Sequence, residues 1–277
     1  MAAPVFEMEK VTVRRNGKEI LNDVSWTVER DQHWVVLGGN GSGKTSLLNV
    51  LMNYLTPTEG EIHMRGREDA VNSVSQDWDE WRRRIGFVSA SIAQLIDPEE
   101  TGLEIVLAGR HAMVNYWQKT DDPKEIKAAE KVLESVHCAP LRDQIWATMS
   151  QGERQRILIG RALMAPKMDF LVLDEPCAGL DPVAREHFLT FVDDLTQKGS
   201  FRSLIIVTHH VEEIVPSITH ALILKDGFVI AQGEKRRALN SHTLSRAFDS
   251  ELKLRSRLGR YRLYYGDEFI PEGGNVI

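Results

Sequence analysis

The chain has 277 residues, of which 42% are hydrophobic and 27% are charged, and its formal net charge is −6. This balance predicts a globular protein with a sizeable core, and the charge argues against a surface that attracts nucleic acid or anionic lipid as a whole. Cys138 and Cys177 lie far apart, so we expect no disulfide framework and a reducing compartment. No run approaches the roughly 18 apolar residues of a membrane span, and no signal-peptide pattern is visible.

The first part of the chain is predicted to be a β-hairpin followed by a strand, a glycine-rich loop and a helix. Residues 11–13 and 20–28 have strand patterns, with Asn16-Gly17 as the turn signal between them. An apolar run at residues 33–37 predicts the strand, and residues 46–52 predict the helix. This order wraps backbone N–H groups around a polyphosphate at a helix N-terminus.

The loop fits the phosphate-binding pattern G-x-x-x-x-G-K-[ST]. Glycines let the backbone approach phosphates without a clash at Cβ. Lys44 can reach the β- and γ-phosphates, and the Thr45 hydroxyl can bind Mg²⁺. We therefore predict a nucleotide phosphate site at Gly38, Gly39, Asn40, Gly41, Ser42, Gly43, Lys44, Thr45 and Ser46.

The middle of the chain has mostly helical patterns, over residues 101–165. One helix is predicted to begin at Pro123, with Asp121 or Asp122 as its cap. Shorter elements are predicted before this region, namely strands at residues 61–64 and 85–88 and a helix at residues 76–84.

The later strands are predicted from continuous apolar runs. Residues 170–173 and 204–207 are typical of strands that are covered on both faces of a parallel sheet, and residues 182–195 predict a helix between them. Residues 221–224 and 228–231 flank an Asp-Gly hairpin signal. The run at residues 170–173 ends in Asp174 and Glu175, which therefore face the ligand crevice. There Asp174 can hold Mg²⁺, and Glu175 can polarise an attacking water.

Residues 149–156 read Met-Ser-Gln-Gly-Glu-Arg-Gln-Arg. Ser150 can cap a following helix, with Glu153 completing a capping box, so a purely structural role is one interpretation. The octet also resembles the LSGGQ signature of the ATP-binding-cassette (ABC) ATPases, with Met149 for leucine and Gln151 for the first glycine.

The order of motifs is similar to that of the same family across roughly residues 4–235. The order runs from the phosphate loop through a helical insertion and the signature to Asp174-Glu175, Ala178-Gly179-Leu180-Asp181 and Thr208-His209. The resemblance implies two cassettes packed head to tail, with ATP and Mg²⁺ bound between them. In that arrangement Glu175 is the general base, His209 contacts the γ-phosphate, and Asp181 crosses the dimer interface.

The remaining roles implied by the resemblance concern the metal and the second subunit. Thr45 and Asp174 would hold Mg²⁺. The signature would act in trans on the nucleotide of the other subunit through Ser150, Gln151, Gly152 and Glu153. For His209, a histidine bonded to the backbone at a strand end is the structural alternative, and the adjacent His210 receives no role.

The sequence departs from the family pattern at two positions. Arg15 stands where the family usually has an aromatic residue that stacks on adenine; its guanidinium can stack instead or can simply be solvated. Ala90 stands where the family typically has a glutamine that meets Mg²⁺ and water, and Ser89, Ser91 or Gln94 are possible substitutes. The second departure weakens the inference to an ordinary transport subunit.

The tail at residues 251–262 carries five basic residues near three tyrosines, a composition that can bind nucleic acid. We favour a solvated helix and strand end instead. Trp78, Trp81, Trp117 and Trp146 are interpreted as packing or partner-contact residues.

These patterns together predict an α/β fold, with a P-loop NTPase core on a parallel sheet, a small antiparallel β subdomain and a helical signature subdomain. The predicted ABC domain spans residues 1–235, with its helical insertion at about 91–165, and residues 236–277 form an extension. The predicted function is ATP hydrolysis by a cassette homodimer or cassette heterodimer that energises a membrane permease from the cytoplasmic face, with nucleic acid not expected as a partner. The alternatives are a soluble ABC ATPase without a permease, in repair, translation or regulation, and a nucleotide sensor that does not hydrolyse ATP.

Overall fold

A computed structural model describes residues 4–64, 78–117, 120–166, 168–266 and 275–276. The chain divides into two compact units, the first formed by Met1–Arg82 with Arg202–Ile277 and the second by Arg83–Phe201.

The described strands, in chain order, are β1 (Pro4–Arg15), β2 (Lys18–Glu29), β3 (Trp34–Leu37), β4 (Glu59–Met64), β5 (Ile85–Val88), β6 (Phe170–Asp174), β7 (Ser203–Thr208), β8 (His220–Lys225), β9 (Phe228–Glu234), β10 (Leu252–Arg257), β11 (Arg260–Tyr265) and β12 (Asn275–Val276). The described helices are α1 (Lys44–Leu51), α2 (Trp78–Arg83), α3 (Ala90–Leu95), α4 (Gly102–Arg110), α5 (Pro123–Ser135), α6 (Gln151–Leu163), α7 (Pro182–Gln197), α8 (Lys235–Ala238) and α9 (Ser241–Phe248). Three short 3₁₀ turns lie at Ala139–Leu141, Trp146–Thr148 and Val211–Glu213.

The first unit contains a buried parallel sheet. Strand β3 lies between β7 and β8 and runs parallel to both, and β9 joins β8 in the antiparallel direction. Every residue of β3 and β7 is buried, and for β7 the continuous apolar run predicted this. The predicted hairpin between β8 and β9 is confirmed, with Asp226 and Gly227 at positive φ in its turn.

The same unit contains an antiparallel sheet in the order β2-β1-β4. The hairpin between β1 and β2 is confirmed, and Asn16 and Gly17 adopt φ values of 51° and 74° in its turn. Both strands are longer than predicted, because polar residues of the exposed face interrupt the apolar pattern at each end. Phe6 and Trp26 pack edge to face in its core, with ring centroids 4.9 Å apart.

The carboxyl-terminal residues of the first unit form a third sheet, so the predicted strand at residues 251–262 is confirmed and the predicted helix was wrong. Its strand order is β11-β10-β12. Leu252, Leu254 and Tyr261 are buried on one face, while basic residues alternate with them on the other. Ser241 and Ser245 of α9 fasten β10 through hydrogen bonds to the backbone of Leu254 and Leu252.

The second unit combines a parallel strand pair with a group of helices. Val88 of β5 lies opposite Leu173 of β6. Asp122 caps α5 and Pro123 occupies its first turn, as predicted. Both cysteines are buried, and neither forms a disulfide among the described residues. Within the described ranges of the whole chain, the structure contains no helix that is long and apolar enough to cross a bilayer.

The four tryptophans named in the sequence differ in their surroundings. Trp81 and Trp146 are buried, Trp78 is half-buried, and Trp117 is 78% exposed. The first two are therefore packing residues, and Trp117 stays available to a partner.

Candidate functional site

The phosphate loop leaves β3 and enters α1 through backbone that only glycine adopts easily. Gly41 and Gly43 have φ values of 79° and 106°, and Gly43 is the residue that precedes the helix. A Cβ on Gly38 would lie 2.4 Å from Ser42 Oγ and 2.5 Å from the carbonyl oxygen of Leu224. The loop is therefore closed tightly on itself, which no larger residue at position 38 would permit.

The first turn of α1 presents hydrogen-bond donors toward the loop. In the part of the chain that the structure describes, the N–H groups of Thr45 and Ser46 have no acceptor, as is usual at a helix start. Ser42 Oγ is buried and lacks a partner within the same residues. These unsatisfied donors, together with the positive end of the helix dipole, form a cradle that fits the phosphates of a nucleotide.

Lys44 is buried and its side chain folds over the loop. Its Nζ donates hydrogen bonds to the carbonyl oxygens of Gly38 and Gly39, at 2.8 and 3.1 Å. The structure thus places the ammonium group of Lys44 beside the loop. Asn40 and Thr45 are exposed on the same loop and first turn, so their side chains are accessible to nucleotide and to Mg²⁺.

His209 follows β7 at the same edge of the sheet from which the phosphate loop leaves β3. Leu37 and Thr208 are direct partners in the two neighbouring strands, so Gly38 and His209 begin the two adjacent loops. The rings of His209 and His210 lie 4.0 Å apart between centroids. His210 N–H donates to Thr208 Oγ1 at 3.1 Å, which fixes the turn immediately after the strand.

Asp174 and Glu175 stand at the carboxyl end of β6 in the second unit, and both are half-buried. Glu175 has a φ of 49°, a left-handed conformation that costs a non-glycine residue about 1–2 kcal/mol. Its carbonyl oxygen accepts a hydrogen bond from Ala178 N–H at 3.1 Å. A glutamate in this conformation is uncommon, since asparagine and aspartate adopt it more often, and it motivates a functional hypothesis for Glu175.

Ser89 and Ala90 leave the end of β5, which neighbours the end of β6. Because Val88 pairs with Leu173, the next residues along the two strands are Ser89 and Asp174. Ser89 is buried, and its hydroxyl accepts a hydrogen bond from Ile92 N–H as the cap of α3. The Ala90 side chain is exposed and has no polar atom.

The signature residues form the start of α6, and the predicted capping box is confirmed. Ser150 Oγ accepts from Glu153 N–H at 3.4 Å, and Glu153 Oε2 accepts from Ser150 N–H at 2.8 Å. Among the described residues, the N–H groups of Gln151 and Gly152 have no acceptor. The start of α6 therefore combines a completed cap with two available donors.

The segment before α6 is held by Arg154, which the sequence analysis missed. Its guanidinium donates to the carbonyl oxygens of Trp146 and Ala147, and it lies 5.1 Å from the centroid of the Trp146 ring. The sequence shows only an arginine and a tryptophan eight residues apart, on two different elements. These contacts orient the chain that leads into Ser150.

Two further predicted residues are located on separate elements. Asp181 caps α7, because its Oδ1 accepts from the N–H groups of Val183 and Ala184, both at 2.9 Å. Arg15 is exposed at the end of β1, opposite Lys18. The cap uses Oδ1 of Asp181 and leaves Oδ2 for other partners. The exposed position of Arg15 is compatible both with stacking on adenine and with simple solvation.

A family model and a curated relative both match this chain over most of its length. Residues 21–178 match the model of the ABC transporter family. The chain is 40% identical over 248 residues to the uncharacterized ABC transporter ATP-binding protein YlmA of Bacillus subtilis, covering 90% of this chain and 92% of that protein.

Solved structures show the same fold. One is cbiO1 of Clostridium perfringens, part of the ABC transporter complex cbiONQ, with a TM-score of 0.72, 23% identity and coverage of 88% of this chain and 93% of that chain. Another is the cassette MJ0796 in a dimeric post-hydrolysis state bound to ADP and phosphate, with a TM-score of 0.66, 22% identity and coverage of 83% and 98%. The predicted α/β P-loop fold is thereby confirmed.

Proposed function

We propose that the chain, which belongs to the ABC transporter family of ATP-binding proteins, hydrolyses ATP as a head-to-tail dimer. In this proposal, hydrolysis energises a membrane permease. The single observation that carries this proposal is the phosphate loop. Its tight glycine turn, its available N–H groups and the ammonium of Lys44 together form a site for a polyphosphate.

ATP hydrolysis is proposed to use residues at the carboxyl ends of the parallel strands. Glu175 would accept a proton from the attacking water, and His209 would contact the γ-phosphate, since it begins the loop next to the phosphate loop. Thr45 and Asp174 would hold Mg²⁺, which when bound offsets the negative charge of the β- and γ-phosphates. The exposed hydroxyl of Thr45 and the carboxylate of Asp174 are oxygen ligands of the kind Mg²⁺ prefers.

Dimerisation is proposed because the start of α6 is suited to an anion. Ser150, Gln151, Gly152 and Glu153 would meet the γ-phosphate bound by a second copy of the chain, with the two available N–H groups as donors. Asp181 would contribute to the same interface. The likeness to a dimeric cassette bound to ADP and phosphate is consistent with this arrangement.

A permease partner is supported by exposed apolar residues in the second unit. Trp117 is 78% exposed and Leu95 is 59% exposed. Asn115 connects their two segments, because its side-chain amide donates to the carbonyl oxygen of Leu95 at 3.0 Å. A partner that covers these side chains would place the protein at the cytoplasmic face of a membrane. Ala90 favours the second candidate, a soluble cassette ATPase without a permease.

The test of the ATPase proposal uses Glu175→Gln, which removes the base and keeps the shape of the side chain. We expect this variant to hydrolyse ATP poorly and to accumulate as an ATP-bound dimer, measured by light scattering with and without Mg-ATP. The control Lys44→Ala should stay monomeric under the same conditions. A Glu175→Gln protein that remains monomeric in saturating Mg-ATP would contradict the interfacial role of ATP.

The test of the transport proposal is affinity purification of the tagged protein from native membranes and cytosol, with mass spectrometry of its partners. A polytopic membrane protein as the main partner supports the permease. Recovery of ribosomal or nucleic-acid-associated proteins without a permease supports the soluble alternative.

A further inference from the structure

The C-terminal hairpin, defined here as β10 and β11, lies against the segment that follows His209. That segment, residues 209–216, contains the 3₁₀ turn Val211–Glu213. Both belong to the first unit. The hairpin lies beyond residues 21–178, which match the family model.

The contact between them centres on Glu212, which is bonded from two sides. Arg260 Nη2 donates to the carbonyl oxygen of Glu212 at 3.0 Å, and Leu263 N–H donates to its carboxylate Oε1 at 3.4 Å. β11 is the edge strand of its sheet, so the N–H of Leu263 would otherwise be an unpaired edge donor. The backbone and the side chain of Glu212 are thus held by two residues of one strand that lie three positions apart.

The turn of the hairpin makes a second contact, at the other end of the segment. Gly259 has a φ of 77°, and a Cβ placed on it would lie only 3.2 Å from Pro216 Cβ. The Pro216 carbonyl oxygen also accepts a hydrogen bond from Lys235 Nζ at 3.0 Å. Residues 212 and 216 are therefore both fixed, which leaves the segment little freedom to shift along the hairpin.

The path from Glu212 back to His209 is short and is held by local contacts. Glu213 N–H bonds to the carbonyl oxygen of His210 at 3.2 Å, and the side chain of Val211 is fully buried. The His210 ring lies against that of His209. A displacement of Glu212 would therefore be transmitted to His209 through the turn and through the paired rings.

We propose that Arg260 and Glu212 are positioning residues, which hold His209 in the orientation required at the γ-phosphate. The inference rests on the proposed function, since it assigns the C-terminal hairpin to the same ATP site. Neither residue touches the nucleotide in this proposal; each acts through the segment 209–216. The hairpin then serves hydrolysis as well as stability.

The test compares Arg260→Ala with Arg262→Ala in the full chain. The two arginines lie on the same strand, but Arg262 is exposed and forms no bond to Glu212 in the described residues. We expect Arg260→Ala to lower kcat about tenfold, the effect of one charge-assisted hydrogen bond, with the KM for ATP within about twofold of the wild type. Arg262→Ala should match the wild type, and Arg260→Lys should recover part of kcat.

Hydrogen exchange of peptides that cover residues 205–217, with and without Mg-ATP, gives a second readout. We expect faster exchange and weaker protection by ATP in Arg260→Ala alone. Faster exchange with unchanged kcat would show a merely structural contact and overturn the inference. Equal losses of kcat in Arg260→Ala and Arg262→Ala, or unchanged hydrogen exchange in Arg260→Ala, would also overturn it.

Failure of the proposed function is recognised separately, as a wild-type protein without ATP turnover. In that case, the wild type is compared by hydrogen exchange alone. If ATP slows exchange at residues 205–217 in the wild type and only Arg260→Ala loses this protection, the inference is still supported. If Arg260→Ala keeps the protection, the inference is overturned.

Discussion

Two capping boxes of the same type in the second unit allow the signature to be tested against a matched control. Ser150 and Glu153 open α6, and Thr101 and Glu104 open α4 with the same pattern. Thr101 Oγ1 accepts from Glu104 N–H at 3.3 Å, and Glu104 Oε2 accepts from Thr101 N–H at 2.9 Å. The two boxes differ in the role proposed for them, because only α6 is expected to meet a nucleotide.

Replacement of either cap by alanine should cost similar stability. Loss of an N-cap hydroxyl costs about 1 kcal/mol, and the hydrogen-bond lengths in the two boxes agree closely, so Ser150→Ala and Thr101→Ala should each lower the free energy of unfolding by about that amount. Urea unfolding followed by circular dichroism measures both losses. A large difference between them would show that the two caps are not equivalent and would disqualify the control.

The same two variants should differ in catalysis. A hydrogen bond to a charged group contributes about 1.5–3 kcal/mol, so loss of the Ser150 hydroxyl beside a γ-phosphate should lower kcat by roughly 10- to 150-fold. Thr101→Ala should stay within about twofold of the wild type at the same temperature. Equal kcat values for the two variants would refute the trans role of Ser150 and leave it only as a helix cap.

Three further predictions concern the loop, the packing of the helices and the dependence on pH. Lys44→Ala should weaken ATP binding at least about tenfold by calorimetry, because it deletes the phosphate cation, and unchanged affinity would refute that role. Gly109→Ala should lower the free energy of unfolding by at least about 2 kcal/mol in urea, since its Cβ would lie 1.9 Å from the carbonyl oxygen of Arg161; a loss below about 0.5 kcal/mol would contradict this close approach. Burial lowers the pKa of His33, whose Nδ1 accepts from Leu204 N–H at 3.1 Å, so the unfolded chain binds more protons and stability falls as pH drops below about 6.5. His33→Asn keeps an acceptor and should reduce that loss in urea titrations between about pH 7 and 5, whereas an identical pH dependence would exclude His33 as its source.

Features that depend on neighbouring residues were predictable from the sequence. The phosphate loop, the Asn16-Gly17 turn and the Ser150 cap each follow from a few adjacent side chains, and the structure has all three. The continuous apolar run of β7 also identified a strand buried on both faces. In each case local chemistry and the final fold favour the same conformation.

Features that depend on distant residues were not predictable in this way. Helices α4 and α6 approach closely where Gly109 lies against the backbone of Arg161. The sequence pattern of neither helix predicts this contact. In the tail, Leu252 and Leu254 alternate with basic residues, a strand signal that the high charge obscured. The left-handed backbone of Glu175 is likewise imposed by its surroundings, because glutamate has no preference for it.

Ala90 does not separate the two candidate functions by the rate of ATP turnover that each predicts. Ser89 is occupied as the cap of α3, and its Oγ lies 2.7 Å from that of Ser91, so neither hydroxyl replaces the missing glutamine without breaking a local bond. Mg²⁺ usually keeps several waters, and the acids at the end of β6 are present, so we expect ATP turnover without a glutamine side chain at position 90. A transport subunit and a soluble cassette are therefore both expected to hydrolyse ATP. It is the recovered partner, and not the turnover rate, that distinguishes them.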